Sequence, residues 1–142
     1  MVLSPNDTVV TETSDAICRI TLNRPGSLNA INPDMARALK QVAAEIRGDD
    51  AVRVVVIQGA GDHFMAGGDI KGFKALLDGN PGAAGIRAHF DEMLGIVHNF
   101  IADFREMPQP VIGSVRGAAA GAAVSLLLAR DKGGRASCRG GV

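Results

Sequence analysis

Two short apolar runs constrain this chain more than any other feature: Val52 to Ile57, interrupted only by Arg53, and Val111-Ile112-Gly113-Ser114-Val115. Each is too short for a core helix and too continuously apolar for a strand with one wet face, so each reads as a strand covered on both faces. Helical patterns lie between them, and parallel strands joined through a helix require a crossover, which is right-handed in nearly all proteins. The expectation is one α/β domain without internal repeats.

The flanking segments extend the pattern. Residues 16–22 alternate, with Ala16, Cys18, Ile20 and Leu22 on one face and Ile17, Arg19 and Thr21 on the other, and Val9-Val10-Thr11 is expected to pair with them across Ser14-Asp15. Turn formers follow in Asn23-Arg24-Pro25-Gly26-Ser27. Asn32 as N-cap and Pro33 at the first helical position open a helix whose Met35, Leu39, Val42 and Ile46 share a face until Gly48.

Further along, a short helix is expected from about Asp69, whose carboxylate suits the free amides there, until Asp78-Gly79-Asn80-Pro81-Gly82. From Gly85 to Arg105 a long amphipathic helix presents Ile86, Phe90, Met93, Leu94, Val97, Ile101 and Phe104 on one side, and Met107-Pro108-Gln109-Pro110 stops it. Gly121 to Ala129 reads as a small-residue helix packed behind the second apolar strand. Residues 130–142 carry four glycines and four basic residues against one acidic, have neither helical nor strand period, and are expected to be disordered.

Several function classes recede on composition. Fifteen basic residues balance fifteen acidic ones, and without Trp or Tyr there is little to stack bases on, so nucleic acid is not an expected partner. No run approaches the ~18 apolar residues of a membrane span and no signal peptide opens the chain, so no membrane is expected and the location reads as cytoplasmic. Cys18 and Cys138 match no metal or redox spacing, and Cys18 among alternating apolar residues reads as a buried, inert thiol. His89 and His98 fall on the long helix as surface or core-edge residues, while His63 stands beside a Gly-rich turn. Nucleotide-hydrolase and serine-hydrolase signatures do not occur.

Two segments have the layout of a strand running through a small-residue turn into a helix: Phe64-Met65-Ala66-Gly67-Gly68-Asp69-Ile70, and Arg116-Gly117-Ala118-Ala119-Ala120-Gly121-Ala122-Ala123-Val124-Ser125. Backbone amides at such a junction can hold an anion or a developing oxyanion. A plain tight turn explains the first equally well, and close helix packing explains the second.

Together with Leu22-Asn23-Arg24-Pro25 and Leu28-Asn29-Ala30 upstream, these turns resemble the enoyl-CoA hydratase/isomerase (crotonase) family from about Ala16 to Ala129. The resemblance implies a spiral of ββα units, incomplete at the C-terminus, with residues 1–129 as a partial acyl-CoA-binding domain. By position it makes the amides of Ala66 and Ala122 the oxyanion-hole donors to a thioester carbonyl. It lines the CoA end with Arg24, Ala30, Ala66, Gly67, Gly68, Asp69 and Lys71. The implied substrate is an acyl-CoA thioester, with coenzyme A as part of the substrate, no separate cofactor and no metal; the implied assembly is a homo-trimer or hexamer.

Two departures accompany the resemblance. Ser125 stands where many family hydratases carry a carboxylate, which puts water addition by paired Glu residues in doubt. After Ala129-Arg130-Asp131 the sequence leaves the family pattern, as a reading-frame shift or an artificial end would make it. The rival expectations are a catalytically inactive fragment that binds CoA or assembles with complete subunits, and a serine peptidase of related architecture using Ser125.

Overall fold

The computed structural model describes residues 4–66, 70–120 and 136–138. Strands β1 (Val9–Ser14) and β2 (Ile17–Leu22) form an antiparallel hairpin pairing Val9 with Leu22 and Ser14 with Ile17. Its two turn residues, Asp15 and Ala16, have φ of 52° and 64°. Paired left-handed residues match the twist of the flanking strands, so the turn geometry sets the register. Ala16, expected on the inward face, is thereby taken into the turn, while Cys18, Ile20 and Leu22 point inward and are fully buried.

Helix α1 (Pro33–Arg47) starts as its cap requires, with the Asn32 side chain accepting the Met35 N–H at 2.8 Å. Met35, Leu39, Val42 and Ile46 are fully buried along its inner face, interleaved with Ala36 and Ala43. The chain then enters β3 (Val54–Gly59), parallel to β2 with Ile17 opposite Val54 and Leu22 opposite Gly59. After a loop come β4 (Met65–Ala66), α2 (Ile70–Asp78), α3 (Gly82–Glu106), β5 (Val111–Val115) and β6 (Ala119–Ala120). Strand β5 lies parallel to β3, and the main sheet runs β1-β2-β3-β5-β7. The last of these, β7 (Ala136–Cys138), lies within the stretch read as having no strand period, and pairs parallel with β5 through Gly113 and Ala136.

One face of this sheet is sealed. Cys18, Ile20, Leu22, Val55, Ile57, Val111 and Val115 pack with α1 and with Phe100, Phe104 and Met107 into a single core. On the opposite face Val54, Val56 and Ile112 are only half-buried among the described residues, and Gln58 Nε2 donates to Thr21 Oγ1 at 3.0 Å. Among the described residues, α1 and α3 both contribute to the core on one side.

The expected face of α3 is corrected too. Phe90 and Leu94 are 44% and 53% exposed, whereas Phe100, which the sequence pattern left out, is fully buried edge-on to Phe104 at 6.4 Å between ring centroids. Phe90 instead meets Phe73 of α2 at 5.4 Å. Arg47 of α1 reaches Asp103 at 3.3 Å and Glu106 at 3.5 Å, and Arg37 reaches Glu92 at 3.1 Å. Solvent-exposed pairs like these contribute little, so α3 is held by its aromatic C-terminal half.

A buried amide joins the loops. Asn29, fully buried at φ 55°, accepts the Arg24 N–H through Oδ1 at 2.8 Å and donates from Nδ2 to the carbonyls of Ala60 and His63, both at 2.9 Å. Asn is among the few residues at ease in this backbone region. Gly59 makes room for it: a Cβ there would collide with the His63 carbonyl, and would lie 2.5 Å from that of Phe64 and 2.8 Å from Asn29 Nδ2.

Asn29→Ala leaves one amide and two carbonyls without their partner, and is expected to lower unfolding stability by about 3 kcal/mol in chemical denaturation. Asn29→Asp should be no better, because a carboxylate oxygen would face the Ala60 and His63 carbonyls; an aspartate variant as stable as the parent would show that the donor half of the amide does not matter.

Burial pushes the Cys18 thiol above its ordinary range, Asp49 adds to this, and a hydrogen bond with the Thr13 side chain opposes it. The unfolded chain therefore loses this proton first as pH rises, so the thiol's contribution to stability is intact below the ordinary thiol range and declines above about pH 8.5. Mass-spectrometric mapping after alkylation at pH 8 should find Cys18 unmodified in the folded protein and modified in denaturant.

Candidate active site

Strands β2, β3 and β5 are parallel, so their carboxyl ends, Leu22, Gly59 and Val115, fall along one edge of the sheet. Ligand crevices in α/β proteins lie at this edge. Three loops leave it: residues 23–32 to α1, residues 60–64 to β4, and residues 116–118 to β6. Each candidate residue that the structure describes sits on one of these loops or on the short strands and helices they lead into.

The loops are tied to one another. Ala60 N–H donates to the Leu22 carbonyl at 2.8 Å, and Asn29 holds the carbonyls of Ala60 and His63. Arg24, half-buried, donates from Nη1 to the carbonyl of Ala30, whose side chain is buried. This bond curls the loop after β2 back on itself and keeps the guanidinium at the sheet edge. Leu28, preceding Asn29, is also left-handed at φ 53°.

The short strands within the two Gly- and Ala-rich segments lie side by side. Strands β4 and β6 pair in parallel, Met65 with Ala119 and Ala66 with Ala120. The carbonyl of Ala118 accepts the amides of Phe64 at 3.1 Å and Met65 at 3.2 Å, and its own N–H donates to Nδ1 of His63 at 3.0 Å. Gly117, at φ 63°, permits this approach: a Cβ there would strike the Asp62 carbonyl and lie 2.5 Å from His63 Nδ1. Phe64 and Met65 are fully buried beneath, which fixes the height of the first turn above the core.

Of the expected site residues, Arg24, Ala30 and Ala66 gather at this edge, and Lys71 belongs to α2, which opens at Ile70. Gly67, Gly68, Asp69, Ala122 and Ser125 lie outside the described residues. His98 is exposed and His89 half-buried on α3, as the helical pattern suggests. The contact of His63 with Ala118 was not legible, because it joins residues 55 apart and neither stands in a motif that reports it. The one available signal was Gly117, a glycine opening a run of alanines where only a side-chain-free residue fits. Among the described residues no group of three or more His, Cys, Asp or Glu side chains is arranged to hold a metal ion. No helix there is long and apolar enough to cross a membrane.

This arrangement has counterparts in known proteins. The sequence model of enoyl-CoA hydratase/isomerase matches residues 12–132. A probable enoyl-CoA hydratase of Mycobacterium leprae is 38% identical over 117 residues, covering 81% of this chain and 38% of that protein. Human enoyl-CoA delta isomerase 2 is 32% identical over 121 residues, covering 85% of this chain and 29% of that protein. The crystal structure of an enoyl-CoA hydratase/isomerase from Marinobacter aquaeolei superposes with a TM-score of 0.79 at 30% identity, over 94% of this chain and 49% of that one. The chain thus spans less than half the length of these relatives. With sequence and crotonase fold in agreement over most of its residues, it belongs to the enoyl-CoA hydratase/isomerase family.

Proposed function

We propose that these residues bind an acyl-CoA thioester and hold its carbonyl oxygen between the amides of Ala66 and Ala122. The observation that carries this reading is the parallel pairing of β4 with β6, which brings the first turn beside the strand leading to the second at the carboxyl edge of the sheet. Two donors aimed at one oxygen favour the enolate over the neutral thioester, because negative charge grows on that oxygen as the α-carbon loses its proton or the β-carbon accepts water. Arg24, Ala30, Gly67, Gly68, Asp69 and Lys71 would border the CoA end, with Arg24 and Lys71 supplying positive charge for its phosphates. The reaction needs no metal or redox group under this reading, and the protein would work in the cytoplasm as a family-type trimer or hexamer.

Hydratases and isomerases both stand among the relatives, and both chemistries use the same enolate. Ser125 lacks the acidity of a carboxylate, which argues against a hydratase mechanism relying on that position. One observation favours a second reading, in which the 142 residues bind acyl-CoA without turning it over: the match spans less than half the length of each of these relatives.

Gly67→Val should abolish acyl-CoA binding in calorimetry by placing a branched side chain where the ligand must approach the backbone. An unchanged dissociation constant would overturn the anion-turn reading. Ser125→Ala should leave turnover of an enoyl-CoA by any active form within about threefold, since losing a true nucleophile or base costs orders of magnitude. Under the second reading, the purified chain binds acyl-CoA yet hydrates crotonyl-CoA at a negligible rate.

A further inference from the structure

We propose that His63 is a positioning residue that sets the spacing of the two amide-bearing turns, by accepting the Ala118 N–H at its ring nitrogen Nδ1. This rests on the reading of Ala66 as an oxyanion donor. His63 is the residue at which all three loops meet. Its carbonyl is held by Asn29 from the loop after β2, its ring by Ala118 from the loop after β5, and its own loop runs directly through Phe64 and Met65 into Ala66.

The ring contact occurs where the pairing of β4 with β6 begins. One residue further along, Met65 lies opposite Ala119 and backbone pairing takes over. At Ala118 the carbonyl is already engaged by Phe64 and Met65, while the N–H turns to the imidazole. The same peptide segment is thus gripped on both sides by one short stretch, His63 to Met65. A nitrogen that accepts an N–H carries its lone pair there, so the ring proton resides on Nε2. Gly117 allows the approach, since any side chain on it would displace the imidazole.

The consequence is geometric. An oxyanion hole works only while its donors lie at hydrogen-bond distance from one point, and small displacements of a donor weaken it sharply. Without the imidazole the turn beginning at Gly117 keeps its bonds to Phe64 and Met65 but loses the restraint on the Ala118 amide, and the strand that leads to the second turn is freer to move relative to Ala66. His63 touches Ala118, not the reacting atoms, so it acts through the turn.

A conjugated dienoyl-CoA reports this directly, because its absorption moves to longer wavelength when the thioester carbonyl is polarised. Titrated into the 142-residue chain, it should bind with a red shift. His63→Ala should keep its dissociation constant within about threefold while losing more than about half of that shift, the signature of a lost polarising contact rather than lost binding. His63→Asn, whose Oδ1 falls near the Nδ1 position, should restore the shift; His63→Gln, whose oxygen reaches the Nε2 position, should not. Amide exchange at Ala118 should quicken by about tenfold in the alanine and glutamine variants without any ligand.

A full red shift in His63→Ala overturns the positioning role and leaves the amide reading standing. A parent protein that binds the dienoyl-CoA with no shift overturns the amide reading itself. Should His63→Ala fail to fold, the asparagine and glutamine variants carry the test, and equal shifts from the two overturn the proposal.

Discussion

The parallel register of β2, β3 and β5 is the constraint on which the rest of the molecule depends. Pairing Ile17 with Val54 and Val55 with Val111 puts Cys18, Ile20, Val55, Ile57, Val111 and Val115 on one face, where α1 and α3 can bury them. The same register aligns the three carboxyl ends, and so decides which loops can touch. A shift of one residue would invert every inward side chain and separate Asn29 from Ala60 and His63. Core and candidate site are two outcomes of one alignment.

What the amino-acid sequence made legible follows from how local each signal is. Helix α1 was readable from Asn32, Pro33 and the buried spacing of Met35, Leu39, Val42 and Ile46, because cap and stripe lie within a few residues of each other. Strands β3 and β5 were readable as apolar runs. The hairpin turn was misplaced by one residue, since Asp15-Ala16 lacks the Gly or Asn that ordinarily marks left-handed turns. On α3 the stripe was continued through Phe90 and Leu94 because periodicity reports a face but not where the core beneath it ends.

The site divides in the same way. Residues recognisable by motif, Arg24 and Ala30 on a loop and Ala66 on the short strand β4, lie at one edge of the sheet. What holds those loops together was silent: Asn29 bonds residues 31 and 34 positions away, and His63 one 55 away. A bond of that range leaves no periodic trace, and its residues are visible in sequence only as a polar side chain in an otherwise apolar or glycine-rich neighbourhood. Gly59 and Gly117 are the complementary trace, marking where two backbones come too close for a Cβ.

The two crossovers of the sheet differ in length: residues 23–53 join β2 to β3, and residues 60–110 join β3 to β5. Closure entropy grows only with the logarithm of loop length, so the longer excursion costs roughly 0.4 kcal/mol more than the shorter. Its middle, the exposed junction at Gly79 and Asn80 between α2 and α3, makes no bond to the three loops at the sheet edge. Residues could therefore be added or removed there through evolution at almost no thermodynamic penalty. The surface carried by the end of α2 and the early turns of α3 is free to diversify, while the strands that align the amides stay in step.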